Sequence, residues 1–296
     1  MRAATTPART ATLIGATAIG MWSLLALFTV ATGSVPPFQL AALTFAIGAC
    51  VGPLVQMVRS RTWLPPPRVP LVAWLVGVGG LFGYHALYFA ALRWAPPAEA
   101  GLLNYFWPLL IVLFSALLPG ERLAGHHLVG VALGLAGTVL LFAGRGGADF
   151  SVEHLPGFAA ALAAAFVWAG YSVLSRRLKA VPTDAVAGFC LATAILAALC
   201  HLAFEETVWP DTALQWLCVV ALGIGPVGMA FYAWDIGMKR GDIRVLGAAA
   251  YATPLLSTAL LVVAGFAAPS VALGVAAVLI AGGGLVAARD LLARPE

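Results

Sequence analysis

GLLNYFWPLLIVLFSALLP, residues 101–119, is the stretch on which the reading of this chain turns. It is apolar enough for a bilayer, yet it holds the one asparagine of the sequence, Asn104, with Tyr105, Trp107 and a mid-segment Pro108 beside it. An amide in hydrocarbon needs a partner, and a proline inside a helix leaves a backbone carbonyl without its usual donor. The signature returns 146 residues on, where Gly101, Tyr105 and Pro108 become Gly247, Tyr251 and Pro254. Paired, proline-interrupted apolar segments in corresponding halves of a membrane protein point to a binding site between those halves.

Composition agrees with a membrane setting. Charged residues make up 9% of the 296 and hydrophobic ones 62%, with mean hydropathy +0.97. A soluble domain carries roughly 25% charged residues, so a soluble globular fold is excluded and an all-α integral membrane protein is predicted. Spans of about 20 residues fall at 11–31, 38–58, 70–92, 98–118, 128–143, 157–175, 185–204, 214–237, 243–266 and 271–288. Short polar or Gly/Pro-rich loops join these ten transmembrane helices, and nothing between them is polar and long enough for a domain outside the membrane. Cys50, Cys190, Cys200 and Cys218 lie in apolar segments, which argues against a disulfide framework or a thiolate metal site. The net charge of +4 is scattered between spans, a topology signal and no mark of nucleic-acid binding. Arg2 and Arg9 precede the first apolar run as in a signal peptide, but that run has full spanning length and predicts a retained helix.

Orientation follows from the cations. With the N-terminus in the cytoplasm, fourteen of the sixteen Lys and Arg fall on the cytoplasmic side, and only Arg93 and Arg145 fall outside. The positive-inside rule then places both termini in the cytoplasm. The 146-residue offset also pairs Trp22 with Trp168, Pro36 with Pro182, Gly79 with Gly225, Arg93 with Lys239 and Gly137 with Gly283. Two five-helix halves, 1–146 and 147–296, are predicted. An odd span number inserts them with opposite topology, as inverted repeats about an axis in the membrane plane. The contrasting reading is a duplicated structural bundle with no pathway.

The polar and aromatic residues sort by span. Tyr84, His85 and Tyr88 fall on the third, Asn104, Tyr105 and Trp107 on the fourth, Trp168 and Tyr171 on the sixth, Tyr232 and Trp234 on the eighth, and Tyr251 on the ninth. Trp22 adds the first. This set of six spans is closed under the repeat and is predicted to line the pathway. Tyr84 and Tyr88 share a face at i, i+4. The rival reading is an interfacial belt, which suits Trp63, Trp94 and Trp209 at span ends but not Trp22, Tyr105 or Trp168 inside their spans. Ordinary aromatic packing is a second rival. His85 is either a hydrogen-bonded packing residue or a proton carrier; no metal ligands stand at useful spacing beside it. His126 and His127 are expected at the surface of a cytoplasmic loop. Asn104 is satisfied by a neighbour or by substrate.

Asp235 is an acid placed inside a span, a functional-site hypothesis by default. Lys239 stands four residues later, the favourable order for an ion pair, near a span end where water is close. The two readings are structural pairing and a part in proton or substrate handling. Gly130, Gly134 and Gly137 on span five, and 282–284 on span ten, give small-residue faces for dimerisation or for packing between the halves.

Ten spans in two halves, Trp22 and Trp168 near the starts of those halves, the paired prolines, and GER at 120–122 together resemble the drug/metabolite transporter superfamily with EamA-type repeats. The resemblance covers essentially the whole chain. The NYFWP of 104–108 is most similar to its YddG-type exporters of aromatic amino acids. This implies a bacterial inner-membrane protein, with no cofactor, metal or enzymatic activity, that moves aromatic or other neutral amino acids outward by alternating access. The second half departs from the pattern, with Ala267 and Ala268 where Glu121 and Arg122 would repeat. Small multidrug-resistance relatives carry a glutamate in their first helix; the first span here has no acid, which favours facilitated movement. The substrate-binding set expected is Trp22, Tyr84, His85, Tyr88, Asn104, Tyr105, Trp168, Tyr171, Tyr232 and Tyr251, with Pro108 and Pro254 shaping the helices around it. Membrane lipid and a small-molecule substrate are the expected partners, and the chain is a monomer or a weak homodimer. The alternative function is a proton-coupled exporter of amphipathic cations that uses Asp235.

Overall fold

A computed structural model describes residues 7–60, 68–119, 123–143, 151–265 and 269–289. The GER sequence at 120–122, Ala267 and Ala268, and most of the 144–156 connection lie outside the described residues. Among the described residues there is helix and no strand, as expected where no water is at hand to bond the backbone. Seven helical runs are long and apolar enough to cross a membrane: Pro7–Ala31, Pro37–Val58, Leu71–Trp94, Val152–Arg177, Ala185–Phe204, Ala213–Arg240 and Ile243–Val263. Three shorter apolar helical runs are Glu99–Ser115, Gly125–Leu141 and Val271–Ala287.

In chain order, the first run is two helices, α1 (Pro7–Ser23) and α2 (Leu25–Ala31), interrupted at Leu24. The Ser23 hydroxyl donates back to Gly20 O at 2.6 Å, a local bond that competes with the helix ladder. α3 (Pro37–Ser60) and α4 (Leu71–Trp94) are continuous. The opening stretch is broken into α5 (Pro97–Asn104) and α6 (Trp107–Ser115). Pro108 has no N–H for the Asn104 carbonyl four residues back, and the chain tightens locally there, with the Phe106 N–H on Leu103 O at 3.2 Å. α7 (Gly125–Ala143), α8 (Leu155–Arg177) and α9 (Ala185–Phe204) follow. The eighth predicted span is α10 (Ala213–Ile224), a π turn at Gly225–Met229 and α11 (Ala230–Arg240). Pro226 sits in that turn, and the wider winding takes up the bond it cannot make. The repeat partner of the opening stretch is likewise broken, into α12 (Ile243–Ala249) and α13 (Ala252–Val263), before α14 (Val271–Ala287) ends the bundle. Ala250 O, orphaned by Pro254, takes the Thr253 N–H at 3.0 Å.

The most extensive helix pairs are α7 with α14, α4 with α8, α3 with α9, and α1 with α11. Each joins an element before residue 146 to one after it, and the offset carries the α4–α8 pair onto α11–α1. Close approach of α7 and α14 rests on glycine. A Cβ on Gly130 would stand 2.6 Å from Gly283 O, and one on Gly283 would stand 2.5 Å from Gly130 O. The glycine face of α7 is thus covered within the chain, while Gly282 and Gly284 face open space.

Polar clasps close the two ends. At one end Glu205 accepts the Phe38 and Gln39 N–H groups at 2.9 and 3.1 Å, a carboxylate at a helix N-terminus where the dipole favours it. His201 holds that carboxylate at 3.0 Å, and Gln39 Oε1 accepts from Val208 N–H at 2.9 Å. At the other end Arg176 donates to Met238 O and Gly241 O at 3.0 and 2.7 Å. There too the Asp242 N–H donates to Thr12 Oγ1 at 2.8 Å. Against expectation, His126 and His127 are buried. The His127 ring folds back so that Nδ1 accepts the Ala124 N–H at the start of α7, and the two rings lie 4.0 Å apart.

Candidate functional site

Elements from six of the predicted spans, the first, third, fourth, sixth, eighth and ninth, converge on a cavity of ≈210 Å³. Trp22 closes α1, with Leu25 and Ala26 from α2 beside it. Tyr84, His85 and Tyr88 come from α4, Asn104 and Tyr105 from the α5 break, Trp107 from α6 and Trp168 from α8. Pro226 and Val227 come from the π turn, Phe231 from α11, and Thr253 and Ser257 from α13. Lining residues stand at or beside every break: Leu25 and Ala26 after Leu24, Asn104 and Tyr105 at the end of α5, Pro226 and Val227 in the π turn, and Thr253 just after the 250–251 interruption. Among the described residues, none that lines the cavity is Asp, Glu, Lys or Arg.

One wall is tryptophan. The Trp22 ring lies 5.5 Å from that of its repeat partner Trp168, edge to face, 5.0 Å from Trp234 and 6.3 Å from Trp107. Trp107, Trp168 and Trp234 also touch one another, so all four indoles form one cluster. Such pairs each contribute about 0.5–1.5 kcal/mol beyond area burial. The Trp22 indole N–H donates to Pro226 O at 3.0 Å, on a carbonyl of the π turn. That of Trp234 donates to Ser172 Oγ at 3.0 Å. Trp234 is fully buried and backs the cavity rather than facing it.

The other wall is polar. Asn104 Nδ2–H donates to Tyr84 Oη at 3.0 Å, and Tyr84 stacks on Tyr88 with ring centres 6.0 Å apart. Asn104 Oδ1 and Thr253 Oγ1 are buried with no hydrogen-bond partner. His85 Nδ1 lies 2.7 Å from Leu81 O. A carbonyl only accepts, so Nδ1 carries the proton and Nε2 is left as an acceptor. The imidazole also meets Phe45, Tyr84, Phe89 and Phe231 edge-on.

The structure brings together Trp22, Tyr84, His85, Tyr88, Asn104, Tyr105 and Trp168 from the predicted set. It places three others elsewhere. Tyr171 packs against Trp168 and into the space left by Gly80, and lines a second void of only ≈10 Å³. Tyr232 follows Phe231, and a helix turns about 100° per residue. Phe231 therefore faces the cavity while Tyr232 Oη accepts the Gly52 N–H of α3 at 3.3 Å. Tyr251 is fully buried among Val112, Val131 and Ile280, against Gly134. Asp235 also stays out of the main cavity. Its carboxylate takes Lys239 Nζ at 2.9 Å and the Thr183 hydroxyl at 2.7 Å. The expected nearness to water does not hold, because the side chains of Asp235 and Lys239 are 3% and 5% exposed. Phe231, Thr253 and Ser257 were not singled out from the sequence. The repeat does carry a signal for Phe231, since it stands 146 residues after His85.

Comparison with known proteins bears on this arrangement. The EamA-like transporter family matches the chain twice, over residues 9–143 and 155–289. The chain is 62% identical over 285 residues to a protein of Ancylobacter novellus named aromatic amino acid exporter YddG, covering 96% of this chain and 98% of that one. It is 26% identical to the protein of the same name in Escherichia coli, over 93% and 96% of the two chains. A solved crystal structure of 61% sequence identity superposes with a TM-score of 0.91, covering 96% of this chain and 99% of the other.

Proposed function

The chain belongs to the EamA-like transporter family, and from that premise we propose that it exports aromatic and other neutral amino acids across a bacterial inner membrane. The observation that carries this reading is the uncharged, aromatic-walled cavity with one polar side. A zwitterion has no net charge, so such a cavity leaves no protein charge buried and unpaired when substrate departs. Its ring would lie against Trp22, Trp107, Trp168 and Phe231, and its polar head against Asn104, Tyr84, Tyr88 and Tyr105. Phosphorylated substrates would want Lys or Arg on the wall, and none of the described residues that line it is either.

We infer further that the three shorter apolar helices complete ten spans in two inverted halves, 1–146 and 147–296, with both termini cytoplasmic. In that frame the lining residues lie from mid-membrane outward. The cytoplasmic side is closed by the tryptophan cluster and, beneath it, by Asp235, Lys239 and Arg176. Transport is then alternating access, in which the two halves exchange conformations about the central site. It is facilitative, because the candidate coupling acid Asp235 is engaged by Lys239 and Thr183 and lies off the cavity.

Counterflow into proteoliposomes loaded with unlabelled tryptophan tests the substrate. Labelled tryptophan should accumulate transiently and saturably, with methionine and phenylalanine competing. No saturable flux with any amino acid would remove the assignment.

A further inference from the structure

Resting on that reading of the cavity, we infer that the site holds the polar head of its substrate chiefly by the ammonium group, so that primary arylalkylamines, which lack the carboxylate, are a second class of substrate. The polar inventory of the wall is lopsided. Asn104 has its Nδ2–H engaged by Tyr84 Oη at 3.0 Å, so the amide presents Oδ1, which is buried and unpartnered. Thr253 Oγ1, on the facing broken helix, is also buried and unpartnered. His85 gives its Nδ1–H to Leu81 O and keeps Nε2 as an acceptor. On the donor side, the Trp22 indole N–H is taken by Pro226 O, no Lys or Arg among the described residues lines the cavity, and the donors that remain are the neutral hydroxyls of residues such as Tyr84, Tyr88 and Ser257. An ammonium brings three N–H donors and a positive charge to such a wall, and charge-assisted bonds to orphaned acceptors are the strong ones. The ring faces of Trp22, Trp168 and Tyr84 add to the preference for a cation. A carboxylate meets no cation and finds only neutral hydroxyl donors, which bind it more weakly than a cation would. Removing it costs the complex little, whereas removing or acylating the amine leaves two buried acceptors without donors.

The test is inhibition of labelled tryptophan counterflow by a matched set: tryptamine, indole-3-propionate and N-acetyltryptophan. Tryptamine should inhibit within about threefold of unlabelled tryptophan, and the two probes without an ammonium should be weaker by about tenfold or more, the loss expected of a charged hydrogen bond. In Thr253→Val, which keeps side-chain volume, tryptophan and tryptamine should each weaken by about tenfold while indole-3-propionate changes little. Asn104→Leu should do the same. If that variant fails to fold, Thr253→Val and thermal-shift titration of the wild-type protein with the same four compounds decide the matter. Indole-3-propionate competing as well as tryptamine would overturn the inference while leaving amino-acid export intact. Absence of tryptophan counterflow altogether would instead remove the underlying function.

Discussion

Asp235 shows how an intramembrane acid is made ordinary. Lys239 Nζ reaches it at 2.9 Å and also donates to Val181 O at 2.9 Å, while Thr183 supplies a second donor to the carboxylate. Each charge is answered within the protein, so neither group is available to carry protons through the cavity. Asp235→Asn leaves a buried ammonium without its counter-charge and is expected to lower stability by about 3–5 kcal/mol, read as an earlier thermal transition of the purified protein. The pH profile of tryptophan flux should keep its shape; a flattened profile would return Asp235 to a coupling role. Tyr84 works differently, because its hydroxyl holds the Asn104 amide in one orientation. Tyr84→Phe should weaken tryptophan binding by about tenfold, as a buried amide N–H loses its acceptor. Tyr88→Phe, the neighbour on the same stack, removes a hydroxyl from the wall but leaves the Asn104–Tyr84 bond in place, and should weaken binding less than Tyr84→Phe. Residue chemistry in the sequence pointed to Asn104 and Tyr84, which line the cavity, since a polar group in an apolar span needs a reason to be there. It misplaced Tyr232 and Tyr251 because a tyrosine hydroxyl signals polarity but not direction. Which face it takes depends on helix rotation and on glycine space opposite, at Gly134 for Tyr251.

The helix breaks divide by whether their cause is local. Pro108 and Pro254 each deny a bond to a carbonyl within their own segment, so the interruptions at 105–106 and 250–251 could be read from the chain. The break at Leu24 has no proline, and the sequence alone does not tell a π turn at Pro226 from a kink, because packing decides how the lost bond is absorbed. One terminus has a measurable electrostatic signature. Asp242 caps α12, accepting the Arg244 and Val245 N–H groups at 3.0 and 3.3 Å, and pairs with the Arg244 guanidinium at 3.0 Å. Burial pushes its carboxyl up, but the bonds and charge of Arg244 and the helix N–H groups outweigh that and hold it below the ordinary carboxylate range. A folded-state pKa below the unfolded value gives stability that is present above the unfolded value, near 4, and is lost as pH falls through the folded one. Asp242→Ala should therefore cost about 1 kcal/mol at pH 7. The gap between variant and wild type should narrow as the wild-type carboxyl protonates below about pH 4. A gap that stayed constant with pH would mean that the side chain acts through packing alone.

At the scale of the whole molecule, if the two halves are inverted as proposed, the closed side is a template for closing the open one. Val35, Pro36 and Arg93 stand 146 residues before Val181, Pro182 and Lys239. On the basic side Lys239 reaches across from α11 to Val181 O, in the connection between α8 and α9. Its counterpart Arg93, near the end of α4, is exposed, although Val35 is buried in the equivalent connection between α2 and α3. If the halves exchange conformations during transport, the outward-closed state seats Arg93 on the Val35 carbonyl as Lys239 now sits on that of Val181. Substitutions at the two cations must then act with opposite sign. Ser257 lines the cavity, so Ser257→Cys, in a Cys50→Ser/Cys200→Ser background, reports outward opening through a membrane-impermeant thiol reagent added outside. Arg93→Ala removes a bond made only in the outward-closed state and should raise the labelling rate, by up to about tenfold for one charge-assisted bond. Lys239→Met combined with Asp235→Asn avoids stranding a buried charge, removes the bond of the outward-open state and should lower the rate. Equal effects of the same sign would show that the two cations stabilise the bundle without distinguishing its states, and the repeat would then govern architecture but not the transport cycle.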